Sequence, residues 1–180
     1  LNLSESEEKA AKYGVPRVAH PDDIIADPNL DCILNLTIPA VHADVSMRAL
    51  KAGKHAYSEK PFATNRDDGA AILSLAQKTG LLVGNAPDTF LGGGWQTVRR
   101  LLDEGLIGDV TGCMAFVGTH GVERHHPNPD FYYQVGGGPL LDLGPYYLTA
   151  MVFLMGPIRR VSGMARKTFD QRQIENGPRN

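Results

Sequence analysis

Residues 31–61, DCILNLTIPAVHADVSMRALKAGKHAYSEKP, constrain the fold more than any other stretch. A short apolar run at 32–36 leads into a turn that contains Pro39. An amphipathic segment follows, with Val41, Val45, Ala49 and Leu50 near helical spacing, and Gly53 stops it. A second short run at 55–58 ends in Glu59-Lys60-Pro61. Strand, helix, strand in that order is the unit from which parallel sheets are built. Open parallel sheets bind ligands at the carboxyl ends of their strands. Lys60 sits at such an end, so it is either a solvated charge beside a turn or a chemical group.

The same alternation extends on both sides. Residues 5–13 read as a helix, with Ser4 and Glu7 as a capping box and Gly14 as the C-cap. Pro21 opens a short helix that closes at Asp27-Pro28-Asn29. The expected elements are then a strand at 31–37, a continuous run of the kind buried on both faces, and a helix at 39–52. A strand at 55–58, a helix at 65–79 closed by Gly80, and a strand at 81–85 complete the series. The fold class is α/β, with part of a doubly wound parallel sheet. After Pro87 the pattern changes to a helix at 95–104, a long strand at 109–120 and a polar loop. A mostly apolar, buried helix at 139–155 and a strand at 158–168 follow. Residues 87–180 therefore read as the first part of a second, α+β domain, and 1–86 as the remainder of the first.

Composition narrows the function. The 180 residues are 42% hydrophobic and 21% charged, and the net charge of -2 leaves no basic footprint for nucleic acid. The longest apolar stretch, 146–155, is too short to cross a bilayer. Cys32 and Cys113 each lie in an apolar run and read as buried, reduced thiols, which fits a cytoplasmic protein. The chain opens directly on a helical pattern with no strand before it and stops without a closing element. It reads as a piece of a longer protein cut at both ends, with any targeting signal lying upstream.

Several motifs now coincide. Thr37-Ile38-Pro39 with His42 following, Ala49-Leu50-Lys51-Ala52-Gly53-Lys54-His55, and Glu59-Lys60-Pro61 together resemble the Gfo/Idh/MocA family. Glu104-Gly105-Leu106-Ile107-Gly108 resembles that family's turn into its substrate domain, and residues 136–144, GGGPLLDLG, resemble its GGG-x-x-x-D-x-G segment. The resemblance covers nearly the whole chain. It implies an NAD(P)-dependent oxidoreductase of sugars and polyols, with a Rossmann domain followed by a domain built on a large, open, mostly antiparallel sheet. It also implies a homo-oligomer, dimer or tetramer, when full length. The G-x-G-x-x-G loop that binds the pyrophosphate has no counterpart in these residues, and neither has the position that separates NAD from NADP.

The site residues follow from this resemblance, each beside a plainer alternative. Lys60 is the expected base for the substrate hydroxyl, and a cis Lys60–Pro61 bond is implied. Glu59 either bonds the cofactor ribose or forms a structural ion pair with the lysine. Thr37, Ile38 and Pro39 line the cofactor cleft. His42 reaches the nicotinamide end or is a polar residue at a helix start. Asp142, a carboxylate among leucines, needs a partner, which is Lys60 across the site or a capped backbone. Many family members carry a histidine one helical turn after this aspartate, but here the position is Tyr146, a poor proton shuttle near neutrality. Asp88 is a substrate contact or a turn cap. His125 and His126 could supply the missing imidazole or be solvated loop residues. His120, His125, His126 and Asp130 lack a metal-ligand spacing, so no metal is expected. Two further readings stay open: an NAD-dependent glycosidase that oxidises its substrate transiently, and a non-catalytic relative that only binds cofactor.

Overall fold

A computed structural model describes residues 2–124, 126–127, 129–171 and 174. His125, one of the two candidate loop histidines, lies outside the described residues. Helix α1 (Leu3–Tyr13) begins earlier than the sequence suggests. Its N-cap is Asn2, whose side chain accepts the Glu5 N–H, so the Ser4–Glu7 capping box does not form. Asparagine caps at least as well as serine, and here it comes first in the chain. Gly14 closes the helix in the left-handed region at φ 67°, as expected. Helix α2 (Pro21–Ala26) follows, with His20 as its N-cap.

Three parallel strands form the sheet: β1 (Cys32–Asn35), β2 (His55–Glu59) and β3 (Val83–Ala86), in spatial order β1-β2-β3. Cys32 pairs with His55 and Ala56 with Val83. The crossovers are α3 (His42–Lys51), entered through a 3₁₀ turn at Pro39–Val41, and α4 (Arg66–Thr79). Ile33 and Ala56 pack with Ala49 and Ile25 in one core cluster, and Leu50, Ile72 and Ala76 form another. Lys54 is buried at the entrance to β2, where its Nζ donates to the carbonyls of Asp27 (2.5 Å) and Leu30 (2.7 Å).

The run at 32–36 is not buried on both faces. Ile33 and Asn35 are buried, while Cys32, Leu34 and Leu36 are exposed. Successive strand residues point to opposite faces, and among the described residues the helices between the strands cover one face only. This overturns the expectation of a buried Cys32. Cys113 is exposed as well, on an unpaired extended segment.

The second half carries α5 (Gly93–Asp103), α6 (Pro139–Asp142) and α7 (Gly144–Met155), with 3₁₀ turns at Asp88–Leu91, Val122–Arg124 and Pro129–Tyr133. The single helix expected at 139–155 is broken, because Pro145 lacks an N–H and crowds the preceding turn. Ala150 of α7 is buried, most of the helix is half-buried, and Leu148, Val152 and Met155 face solvent, so the segment is not the fully buried helix expected. The expected strands at 109–120 and 158–168 form no ladder, and among the described residues there is no antiparallel sheet. A strand needs a neighbour to receive its hydrogen bonds, and among the described residues none pairs with these segments, whose Met114, Phe116 and Val161 are exposed. Arg99 ties α5 to α7 by donating to the Leu154 carbonyl (2.7 Å). No helix among the described residues is long and apolar enough to cross a membrane.

Candidate active site

The carboxyl ends of the strands carry a row of polar residues in register: Asn35 opposite Ser58, and Ser58 opposite Asn85. Asn35 turns its hydrogen bonds toward the loop that follows β1, while Ser58 and Asn85 bond the backbone at the end of β2. Asn35 Oδ1 accepts the Thr37 hydroxyl (2.6 Å), and its Nδ2 donates to the His42 carbonyl (3.1 Å). These bonds shape the turn at Thr37, Ile38 and Pro39. Ser58 Oγ donates to the Glu59 carbonyl (3.1 Å), and Asn85 Nδ2 donates to the carbonyls of Ser58 (3.0 Å) and Glu59 (2.9 Å). The sequence reading missed Ser58 and Asn85. A polar residue near the end of each of three apolar strands was the available signal.

His42 faces inward. Its side chain is buried, with Nδ1 2.7 Å from the Pro61 carbonyl and Nε2 2.8 Å from the Thr37 carbonyl. Both partners are carbonyl oxygens, so whichever ring nitrogen carries a proton has a backbone acceptor facing it. His42 therefore spans the two turns from beneath, with both ring nitrogens occupied by backbone.

Lys60 follows β2, and its peptide bond to Pro61 is cis. Its backbone N–H donates to Glu59 Oε2 (2.6 Å). Its Nζ crosses to α6, where it donates to Asp142 Oδ1 (2.6 Å) and to the Asp142 carbonyl (2.8 Å). The lysine side chain is 16% exposed and the aspartate 35%. Asp142 thus has the partner that its apolar surroundings demand. Lys60 Nζ also lies 5.2 Å from the centre of the Tyr146 ring, on α7, at cation–π distance.

Burial raises the Tyr146 phenol above its ordinary value. The Lys60 charge opposes that shift, and the carboxylates of Glu59, Asp88 and Asp142 add to it. Burial also raises Tyr132, with Asp142 and Glu123 contributing. Glu59, Lys60, Asp88, Asp142 and Tyr146 therefore share one electrostatic environment, although Asp88 is itself exposed in its 3₁₀ turn.

Two cavities flank this cluster. One of about 360 Å³ is lined by Thr89, Trp95, Leu143, Tyr146 and Tyr147. The other, about 470 Å³, has Thr37, Ile38 and Pro39 on one wall, with His126 and Phe131 on another. His126 stacks edge-on against Phe131 (5.0 Å between ring centres). Among the described residues no group of three or more His, Cys, Asp or Glu side chains can hold a metal ion.

A parallel sheet with charged and polar groups gathered at its carboxyl edge is the arrangement in which open α/β proteins bind their ligands. Residues 2–86 match the family model described as oxidoreductase family, NAD-binding Rossmann fold, and residues 95–177 match the Gfo/Idh/MocA C-terminal domain. The chain belongs to the Gfo/Idh/MocA oxidoreductase family. It is 32% identical over 158 residues to a dTDP-3,4-didehydro-2,6-dideoxy-alpha-D-glucose 3-reductase of Saccharopolyspora spinosa, covering 86% of this chain and 46% of that protein. It is 24% identical to a D-xylose dehydrogenase of Paenarthrobacter nicotinovorans, covering 87% of this chain and 42% of that protein. A Synechocystis biliverdin reductase, solved with biliverdin and NADP⁺, superposes with a TM-score of 0.68 at 26% identity, covering 89% of this chain and 49% of that one. The chain spans about half the length of the curated relatives it matches.

Proposed function

We propose that the complete protein carrying this chain interconverts a hydroxyl and a carbonyl group on a sugar, polyol or cyclitol, using NAD or NADP. The observation that carries this reading is the position of Lys60 Nζ, 2.6 Å from Asp142 Oδ1 and beneath the Tyr146 ring, at the carboxyl end of a parallel strand. Two of the similar proteins are named for redox chemistry on a sugar, which supports the substrate class. The nicotinamide, when bound, supplies or accepts the hydride. Thr37, Ile38 and Pro39 form the wall offered to its ring, and Glu59 is the group offered to its ribose. His42 acts on that wall from behind.

Lys60 carries the proton. In the reducing direction its ammonium gives a proton to the carbonyl oxygen. In oxidation the same amine takes the hydroxyl proton, so acid and base are one group seen from two directions. Asp142 holds the ammonium and orients the substrate hydroxyl. Tyr146 keeps its proton and serves as a hydrogen-bond donor, in place of the histidine common in the family. Asp88 and His126 are the candidate contacts to the remainder of the substrate. The two parts of the protein divide near residue 87.

The test is the absorbance of reduced nicotinamide with the complete protein and a panel of keto sugars, aldoses and inositols. On the best substrate, Lys60→Ala is expected to lower kcat by about 10²- to 10⁴-fold, the scale of positioned proton transfer. A variant that keeps the wild-type rate overturns the role of Lys60. Silence across the panel overturns the substrate class.

A further inference from the structure

The polar row at the strand ends does more than satisfy itself. Asn85 Nδ2 has two hydrogens, and both are used, one on the Ser58 carbonyl and one on the Glu59 carbonyl. The Glu59 carbonyl receives a second bond from Ser58 Oγ, which fills both of its lone pairs. On the far side of Lys60, the Pro61 carbonyl faces His42 Nδ1. The backbone is thus gripped just before Lys60 from β3 and just after it from α3. The lysine's own N–H is closed by Glu59 Oε2. No substrate or cofactor contact is needed to explain any of these bonds.

We infer that Asn85 and His42 are positioning residues. Together they fix the backbone on either side of Lys60, so that its Nζ arrives at Asp142 without a search through other rotamers and loop positions. Both act through donors alone, because every partner is a carbonyl oxygen. An isosteric residue without donors therefore fails, although it fills the same space. The inference rests on the reading of Lys60 as the functional group, but its test requires neither substrate nor turnover.

The test is competitive acetylation of lysines in the folded, full-length protein with a small acyl donor, read peptide by peptide by mass spectrometry. Asn85→Asp keeps the shape, removes both donors and sets a carboxylate against the two carbonyls they bonded. It is expected to raise the acetylation rate of Lys60 at least about fivefold, the scale of one to two lost hydrogen bonds. His42→Gln, which keeps one donor position, is expected to raise it less. Lys54 is the internal control, since it is buried and held by the Asp27 and Leu30 carbonyls. The proposal stands if Lys60 accelerates while Lys54 holds within about twofold, less than one hydrogen bond is worth. It is overturned if Lys60 stays at the wild-type rate in Asn85→Asp. It is equally overturned if Lys54 accelerates in step with Lys60, because Asn85 would then support the whole domain and not the lysine. Loss of turnover in Lys60→Ala without these labelling changes would leave the proposed function intact and remove the frame.

Discussion

Tyr146 stands where the resemblance to the family leads one to expect a histidine. Its ring covers the Lys60 charge, and its hydroxyl keeps its proton because burial and three carboxylates outweigh the lysine. The raised value has a definite sign. The folded state holds the phenolic proton more tightly than the unfolded chain, so this stabilisation is present below pH of about 10 and is lost as pH rises through the folded value. In a spectrophotometric titration of tyrosinate, the component missing from Tyr146→Phe is expected to have its midpoint above 10. A midpoint at or below the ordinary tyrosine value contradicts the placement. Much of this cluster is legible from the sequence, since Glu59-Lys60-Pro61 and Asp142 stand in recognisable motifs. The inward turn of His42 is not legible, nor is the role of Asn85. Both depend on strand register and on carbonyls far away in the chain, and residue type specifies neither.

At the scale of elements, local chemistry sets boundaries that periodicity leaves loose. Asn65 caps α4 by accepting the Asp68 N–H (2.9 Å), and its Nδ2 also donates to the Asp68 carboxylate (2.6 Å). Asn65→Ala is expected to cost about 1 kcal/mol, measured as a shift in the denaturation midpoint with an unchanged denaturant slope. A shift below a few tenths would show that α4 is held by the packing of its Ile72 and Ala76 against Leu50 alone. The helices of the first half are readable chiefly from periodicity and stop residues, as Gly14 closes α1 and Gly80 closes α4. The apolar segment at 139–155 misled because its hydrophobicity hides Pro145, which separates the helix bearing Asp142 from the helix bearing Tyr146. The segments at 109–120 and 158–168 have the residues of strands, but strand character without a partner strand gives only extended chain.

At the scale of the molecule, the sheet has one covered face and one open face. Cys32, on the open face, is expected to react with a disulfide-type thiol reagent in the native Cys113→Ser variant without denaturant. A thiol that stays silent until the protein unfolds would mean that this face is covered in solution. The two family models meet in the chain between residues 86 and 95, yet the Lys60–Asp142 bond joins their territories across 82 positions of sequence. Neither half holds both partners of that pair. A chimera that grafts the second half of a relative onto this first half keeps Lys60, and it restores the ion pair only if the donor brings its own carboxylate to meet it. That single bond is the compatibility rule by which such halves can be exchanged.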